Sequence, residues 1–153
     1  MREIRPAQLG DLEVVARWLR NSADCELWAG HRVSFPVALE GLPRAIEWDQ
    51  SDSWVVTHDS AVAGFGQLVP KLRGRVHLAR LICDPDQRRR GLGRLLTARL
   101  LETALSRQPT AISLNVSPEN VPALHLYRSL GFVAAARPPD ERESHSVYME
   151  HTP

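Results

Sequence analysis

A chain of 153 residues, 43% hydrophobic and 24% charged, has the size and make-up of one globular domain over residues 1–153 that buries a core without staples. Its net charge of +1 supplies no global field for gathering nucleic acid or a membrane surface. Cys25 and Cys83 are too few for a secreted disulfide framework and lack zinc-site spacing, and no run approaches the ~20 apolar residues of a membrane span, so the expected location is the cytoplasm.

Arg2 to Pro6 reads as a short first strand. Asp11 is placed to cap a helix through Arg20, with Leu12, Val15, Ala16 and Leu19 at helical spacing. Residues 22–36 read as an aromatic-rich irregular connection, and Pro36 then suits the first turn of a helix through Trp48. Three strands follow, Trp54 to Thr57, Ala61 to Val69 and Val76 to Cys83, joined at the turn signals Asp59-Ser60 and Lys71 to Gly74. A helix from Leu92 to Arg107 carries an apolar stripe of Leu92, Leu95, Leu96, Leu100 and Leu101 and stops before Pro109. Ile112 to Val116 alternates as a strand, Pro122 opens a helix that Gly131 ends, and residues 132–135 and 146–149 close the chain as strands around a polar loop at Pro138-Pro139. The order is β-α-α-β-β-β-α-β-α-β-β. A helix joins the strands at 76–83 and 112–116, so that connection should be a right-handed crossover and the pair parallel. The expectation is an α/β fold with a mixed sheet of about seven strands, antiparallel in its first half and flanked by about four helices.

The stretch from Leu81 to Gly93 is the chemically telling one. An apolar strand ends at Asp84-Pro85, a basic turn with Gly91 and Gly93 follows, and a long amphipathic helix begins. That order presents backbone N–H groups and a positive helix end to an anion. It is neither a Walker loop, which ends Gly-Lys-Ser/Thr, nor a dinucleotide fingerprint, which needs a third glycine. Near-neutral charge and the absence of a recognition motif argue against nucleic acid as the anion, despite Arg73, Arg75 and Arg88 to Arg90.

Two local patterns then combine. Arg88-x-x-Gly91-x-Gly93 stands behind the strand ending Leu-Ile-Cys-Asp-Pro. One helix and one strand later come Asn115-Val116 and then Asn120-x-x-Ala123-Leu124-x-Leu126-Tyr127-Arg128-x-Leu130-Gly131-Phe132. Together they closely resemble the GNAT family of N-acetyltransferases, and the element order extends the resemblance over nearly all of residues 2–150. The resemblance implies acetyl-CoA as co-substrate, no metal, and direct attack of a primary amine of a small molecule or peptide on the thioester. It implies a central parallel pair that splays, with the pantetheine in the gap and its amides on the backbone of Ile82 and Cys83. Turn N–H groups from Arg89 through Gly91, Leu92 and Gly93 to Arg94 would take the pyrophosphate, with Arg88, Arg89 and Arg90 adding charge. Asn120 and Ala123 would lie along the cofactor. Dimerisation is common in the family, which makes a homodimer a further expectation. The commonest form of the turn has glycine where this chain has Arg89, which keeps its donor unless the backbone there needs positive φ.

By the resemblance Tyr127 protonates the leaving thiolate; read from its own chemistry, it is a half-buried aromatic whose hydroxyl finds a backbone partner. Asn120 caps its helix on the same local reading. The acceptor nitrogen must also shed a proton. His77, six residues before Cys83, shares its face by strand alternation and stands where relatives use a carboxylate; the alternative is a strand histidine bonded to a neighbour. Asp24, Glu26 and His31 are the other candidate bases. Glu26, Trp28, His31 and Phe35 are candidates for the acceptor pocket, because the family binds acceptors there; the alternatives are a solvated loop for the polar pair and core packing for Trp28 and Phe35. Ser117 reads as a turn-shaping residue, and Cys83 as structural. Mixed charges in residues 22–36 and 137–145 suit a polar small molecule or a peptide end. The competing reading is a module that keeps the cleft and senses acyl-CoA without turnover.

Overall fold

The computed structural model describes residues 1–141 and 145–151; residues 142–144 of the expected polar loop lie outside the described residues. Seven strands form one sheet: β1 (Arg2–Pro6), β2 (Asp52–His58), β3 (Ala61–Pro70), β4 (Val76–Cys83), β5 (Ile112–Val116), β6 (Val133–Ala134) and β7 (Val147–His151). Their spatial order is β1-β2-β3-β4-β5-β7-β6. The β4–β5 pair is parallel and every other neighbouring pair antiparallel. The β2–β3 connection is the two-residue Asp59-Ser60 turn with φ of 49° and 72°, the doubly left-handed backbone whose twist matches the flanking strands.

Two cores flank the sheet. On one face, α4 (Leu92–Ser106) and α5 (Val121–Ser129) bury Leu92, Leu96, Leu100 and Leu124 against Leu78, Ile112 and Leu114. Leu92, Leu96 and Leu100 recur every fourth residue, the spacing of one helical stripe. Leu95, expected in that stripe, is 37% exposed. On the other face, α1 (Asp11–Arg17), α2 (Ser22–Ala29) and α3 (Leu42–Ala45) bury Val15, Trp28, Leu42 and Ile46 against Val55 and Phe65. No helix among the described residues is long and apolar enough to cross a membrane.

The segments between β1 and β2 differ from expectation. Residues 22–29 form a helix, not an irregular connection, making five α-helices among the described residues. Asn21 Oδ1 caps it by accepting from the Asp24 N–H at 2.8 Å, while Cys25, Trp28 and Ala29 turn inward. The continuous helix expected from Pro36 to Trp48 is broken into short turns at Leu39–Gly41, α3 and Trp48–Gln50. Gly41 and Pro43 weaken helix propagation there, and Glu47 at φ 56° ends it. α1 stops at Arg17 instead of Arg20, although Trp18 and Leu19 remain buried.

Candidate active site

β4 and β5 pair only at Val76–Ile112, His77–Ser113 and Leu78–Leu114. Beyond Leu78 the two strands part, although β4 runs on to Cys83 and β5 to Val116. The facing edges of Ala79 to Cys83 and of Asn115 and Val116 therefore have no strand partner on that side. The backbone of Ile82 and Cys83 is on that edge.

At the open end, β4 passes through Asp84, whose carboxylate accepts from the Asp86 N–H at 2.9 Å, into the basic turn. Arg89 has φ 66° and Gly91 φ 77°. A left-handed non-glycine residue costs about 1–2 kcal/mol, so the turn stores strain at Arg89, the position where glycine is commoner. Gly91 leads into α4 without any side-chain cap, which leaves the first-turn N–H groups of Leu92, Gly93 and Arg94 directed outward. Arg88, Arg89 and Arg90 are exposed beside them. Arg94 spends its guanidinium on Ser129 Oγ of α5 at 2.6 Å.

α5 walls the gap from the α4 side. Asn120 Oδ1 accepts from the Ala123 N–H at 3.3 Å, so its side chain serves as the helix cap. Tyr127 is buried, packs edge-on against Phe132 at 6.2 Å, and its hydroxyl makes no hydrogen bond among the described residues. Burial, and secondarily Cys83, push it up to about 12. Burial pushes the Cys83 thiol up to about 11 against the opposing pull of Arg88, so this is an inert thiol.

His77 does not share this face. Gly66 of β3 stands opposite both Arg80 and Leu81, a β-bulge with Arg80 at φ 53°. The extra residue reverses the alternation. Val76 and Leu78 before it, and Leu81 and Cys83 after it, all join the α4-side core. His77 lies on the opposite face, where Ser113 Oγ is 2.7 Å from Nδ1 and Asn115 Nδ2 is 3.4 Å from Nε2. Burial first, then Lys71, Arg75, Arg80 and Arg137, lower its pKa to about 3, so the ring is neutral and cannot hold a proton at neutral pH.

Several partners of this polar cluster carry no sequence signal. Buried Arg75 donates to Ser113 at 3.0 Å and pairs with Glu141 at 2.8 Å and Asp140 at 3.1 Å. Arg137 donates to Asn115 Oδ1 at 2.7 Å, and both arginines lie over the Tyr148 ring. Arg80 binds Gln67 and, at 3.2 Å, Glu47. A cavity of about 430 Å³ opens on this face between Glu47, the Val69–Leu72 turn, Asp140 and Glu141.

The other expected acceptor residues separate. Trp28 is a core residue whose Nε1 donates to the Arg80 carbonyl at 2.8 Å, pinning the bulge. Phe35 is 43% exposed and lines a different cavity of about 330 Å³ against α1. Glu26 and His31 are exposed on and just after α2. Among the described residues no group of three His, Cys, Asp or Glu converges to hold a metal ion.

The family described as "Acetyltransferase (GNAT) family" matches residues 16–132. The mycothiol acetyltransferase of Thermobifida fusca is 33% identical over 92% of this chain and 48% of its own length. The [ribosomal protein bS18]-alanine N-acetyltransferase of Salmonella typhimurium is 35% identical over 50% of this chain and 51% of its own. The chain thus spans about half the length of the curated relatives it matches. A solved PaiA N-acetyltransferase from Thermoplasma acidophilum, in complex with coenzyme A, shares the fold at TM-score 0.74 and 19% identity, over 99% of both chains.

Proposed function

The chain belongs to the acetyltransferase (GNAT) family, and on that premise we propose that it transfers the acetyl group of acetyl-CoA to a primary amine of a small molecule or peptide. The observation that carries the reading is the parting of β4 from β5 after Leu78 beside an uncapped helix end. Both ends of one ligand find complementary surface: a strand edge for pantetheine amides at Ile82 and Cys83, and first-turn N–H groups with Arg88 to Arg90 for the pyrophosphate. A cytoplasmic location and a single domain over residues 1–153 belong to the same proposal, the latter supported by one sheet running from Arg2 to His151.

In this reading the free β4 edge orients the thioester and polarises its carbonyl, so the amine attacks a preorganised electrophile. Tyr127 faces the departing sulfur. A thiol has an ordinary pKa of ~8.5, so full proton transfer from a group near 12 is uphill by roughly 5 kcal/mol. Tyr127 therefore acts by donating a hydrogen bond to the thiolate. The amine approaches from the other face, over the cavity bordered by Glu47, Asp140 and Glu141. Its charged rim suits a polar acceptor.

The test is acetyl-CoA-dependent thiol release across a panel of amines, alongside calorimetric coenzyme A binding. Tyr127→Phe should lower kcat by about 10²-fold while acetyl-CoA affinity is retained. Unchanged turnover would remove Tyr127 from the chemistry. Tight binding with no release from any amine would favour the acyl-CoA-sensing reading instead.

A further inference from the structure

We infer that Trp28, Glu47 and Gln67 are positioning residues for acetyl-CoA: by gripping Arg80 they fix where the extra residue of β4 sits, and so set the direction of the free strand edge from Leu81 to Cys83. This rests on the acetyl-transfer reading above and names the groups that shape the edge on which that reading depends.

The apolar pattern of β4 requires one extra residue and leaves its place open. Leu78, Leu81 and Cys83 face the α4-side core, while Ile82 packs with the opposite core. Alternation puts a single residue between two that share a face. Between Leu78 and Leu81 there are two, Ala79 and Arg80. Either could be the inserted one with the same leucines buried. Backbone preference does not choose, because alanine bears a left-handed conformation no better than arginine. The ladder nevertheless pairs Ala79 with Gln67 in register, and it is Arg80 that takes φ 53°.

Polar contacts make the choice. The Arg80 carbonyl accepts from Trp28 Nε1 at 2.8 Å. Its guanidinium is 8% exposed, with Nε donating to Gln67 Oε1 and Nη2 to Glu47 Oε1 at 3.2 Å. Each partner is held in turn. Gln67 is fully buried and donates to Ser53 Oγ at 3.0 Å, and Glu47 also takes Arg32 at 3.4 Å. Trp28 packs edge-on against Phe65, the β3 residue opposite Ile82. Moving the insertion to Ala79 would draw the Arg80 carbonyl from Trp28 and its side chain from Gln67 and Glu47. A guanidinium left so deep without its acceptors is costly. The bend that a bulge puts into its strand would move as well. The peptide groups of Leu81, Ile82 and Cys83 start from that bend. None of the three positioning residues lies in the two motifs that mark the cofactor's seat.

The test is calorimetric coenzyme A binding to the full chain, with melting temperatures measured alongside. Arg80→Ala and Arg80→Gly remove the same guanidinium and differ in one respect, since only glycine takes φ 53° freely. Arg80→Gly should therefore bind coenzyme A about 10-fold more tightly than Arg80→Ala. Trp28→Phe keeps an aromatic ring against Phe65 and removes the Nε1 donor. It should weaken binding by about 10-fold in the Arg80 protein and by less than about 2-fold in the Arg80→Gly background, and this pair supplies the readout if Arg80→Ala fails to fold. Asp11→Asn, which breaks the ion pair joining α1 to β1, should lower the melting temperature and leave coenzyme A affinity unchanged. Equal affinities of the alanine and glycine variants, a Trp28→Phe loss undiminished in the glycine background, or an Asp11→Asn loss as large as that of Arg80→Ala would overturn the positioning role while leaving acetyl transfer intact. A wild-type protein that binds no coenzyme A would overturn the acetyl-transfer reading itself, and the positioning role with it.

Discussion

His77 should make this protein unusually sensitive to mild acid. Its folded pKa is lowered to about 3 from the ordinary 6.5, because burial and four nearby cations oppose the imidazolium. The unfolded chain binds a proton on this residue below pH 6.5, and the folded protein does not until about pH 3. Stability is therefore complete above pH 6.5 and is lost as pH falls through that window, by about 1.4 kcal/mol per unit. Between pH 6.5 and 4.5 the loss from this one group is about 2 kcal/mol, a large share of the ~5–15 kcal/mol that holds a typical domain. Urea unfolding of wild type and His77→Gln at half-unit steps of pH measures it. The glutamine variant starts lower, since it disturbs Ser113, but its stability should fall less steeply across the window. Parallel curves would show that His77 ionises in the folded state, refuting the buried-neutral assignment.

Two further predictions follow from close contacts. A Cβ added at Gly66 would sit 2.5 Å from Leu81 Cδ2 and 2.9 Å from Leu100 Cδ1, so Gly66→Ala should destabilise by about 1–3 kcal/mol and weaken coenzyme A binding by displacing the strand edge at Leu81, both readable by thermal shift with and without the ligand. Asp11, held below its ordinary pKa chiefly by the Arg5 hydrogen bonds, contributes stability that is present above pH ~3.8 and lost only below it. Asp11→Asn should thus cost about 1–3 kcal/mol at pH 7 and flatten the acid limb below the His77 window; a cost that persists unchanged at pH 2 would contradict the ion-pair explanation.

The central half of the fold was legible because its signals are local. Val76–Cys83 and Ile112–Val116 carry runs of apolar and alternating residues bounded by punctuating turns, and Gly91 and Pro122 mark helix starts. The α2 helix hid behind a weak apolar face, only its Asn21 cap giving a clue, and the stretch after Pro36 kept helical spacing while its backbone could not. The basic turn and Tyr127 were readable as motif. The polar cluster around His77 was not, because its bonds join residues far apart in sequence: His77 to Ser113 is a separation of 36, and Arg75 to Glu141 one of 66. The bulge was also silent, since it depends on a left-handed arginine with no glycine to announce it.

That bulge sorts the side chains of β4. Without it, strict alternation would set His77 and Cys83 on one face. One extra residue at Arg80 turns Leu81 and Cys83 toward the α4-side core and leaves His77 with Ser113 on the opposite face. Bulges also bend and twist the strand that carries them, and β4 leaves β5 two residues before Arg80, after Leu78. The same insertion thus accounts for both the gap and the change of face along β4. A left-handed arginine is unfavourable by about 1–2 kcal/mol on its own, so neighbours must hold it: Gln67 and Glu47 bind its guanidinium and Trp28 binds its carbonyl. Two of those three come from the segments between α1 and β2. Whatever shifts α2 or the turn at Glu47 therefore bears directly on the free edge of β4.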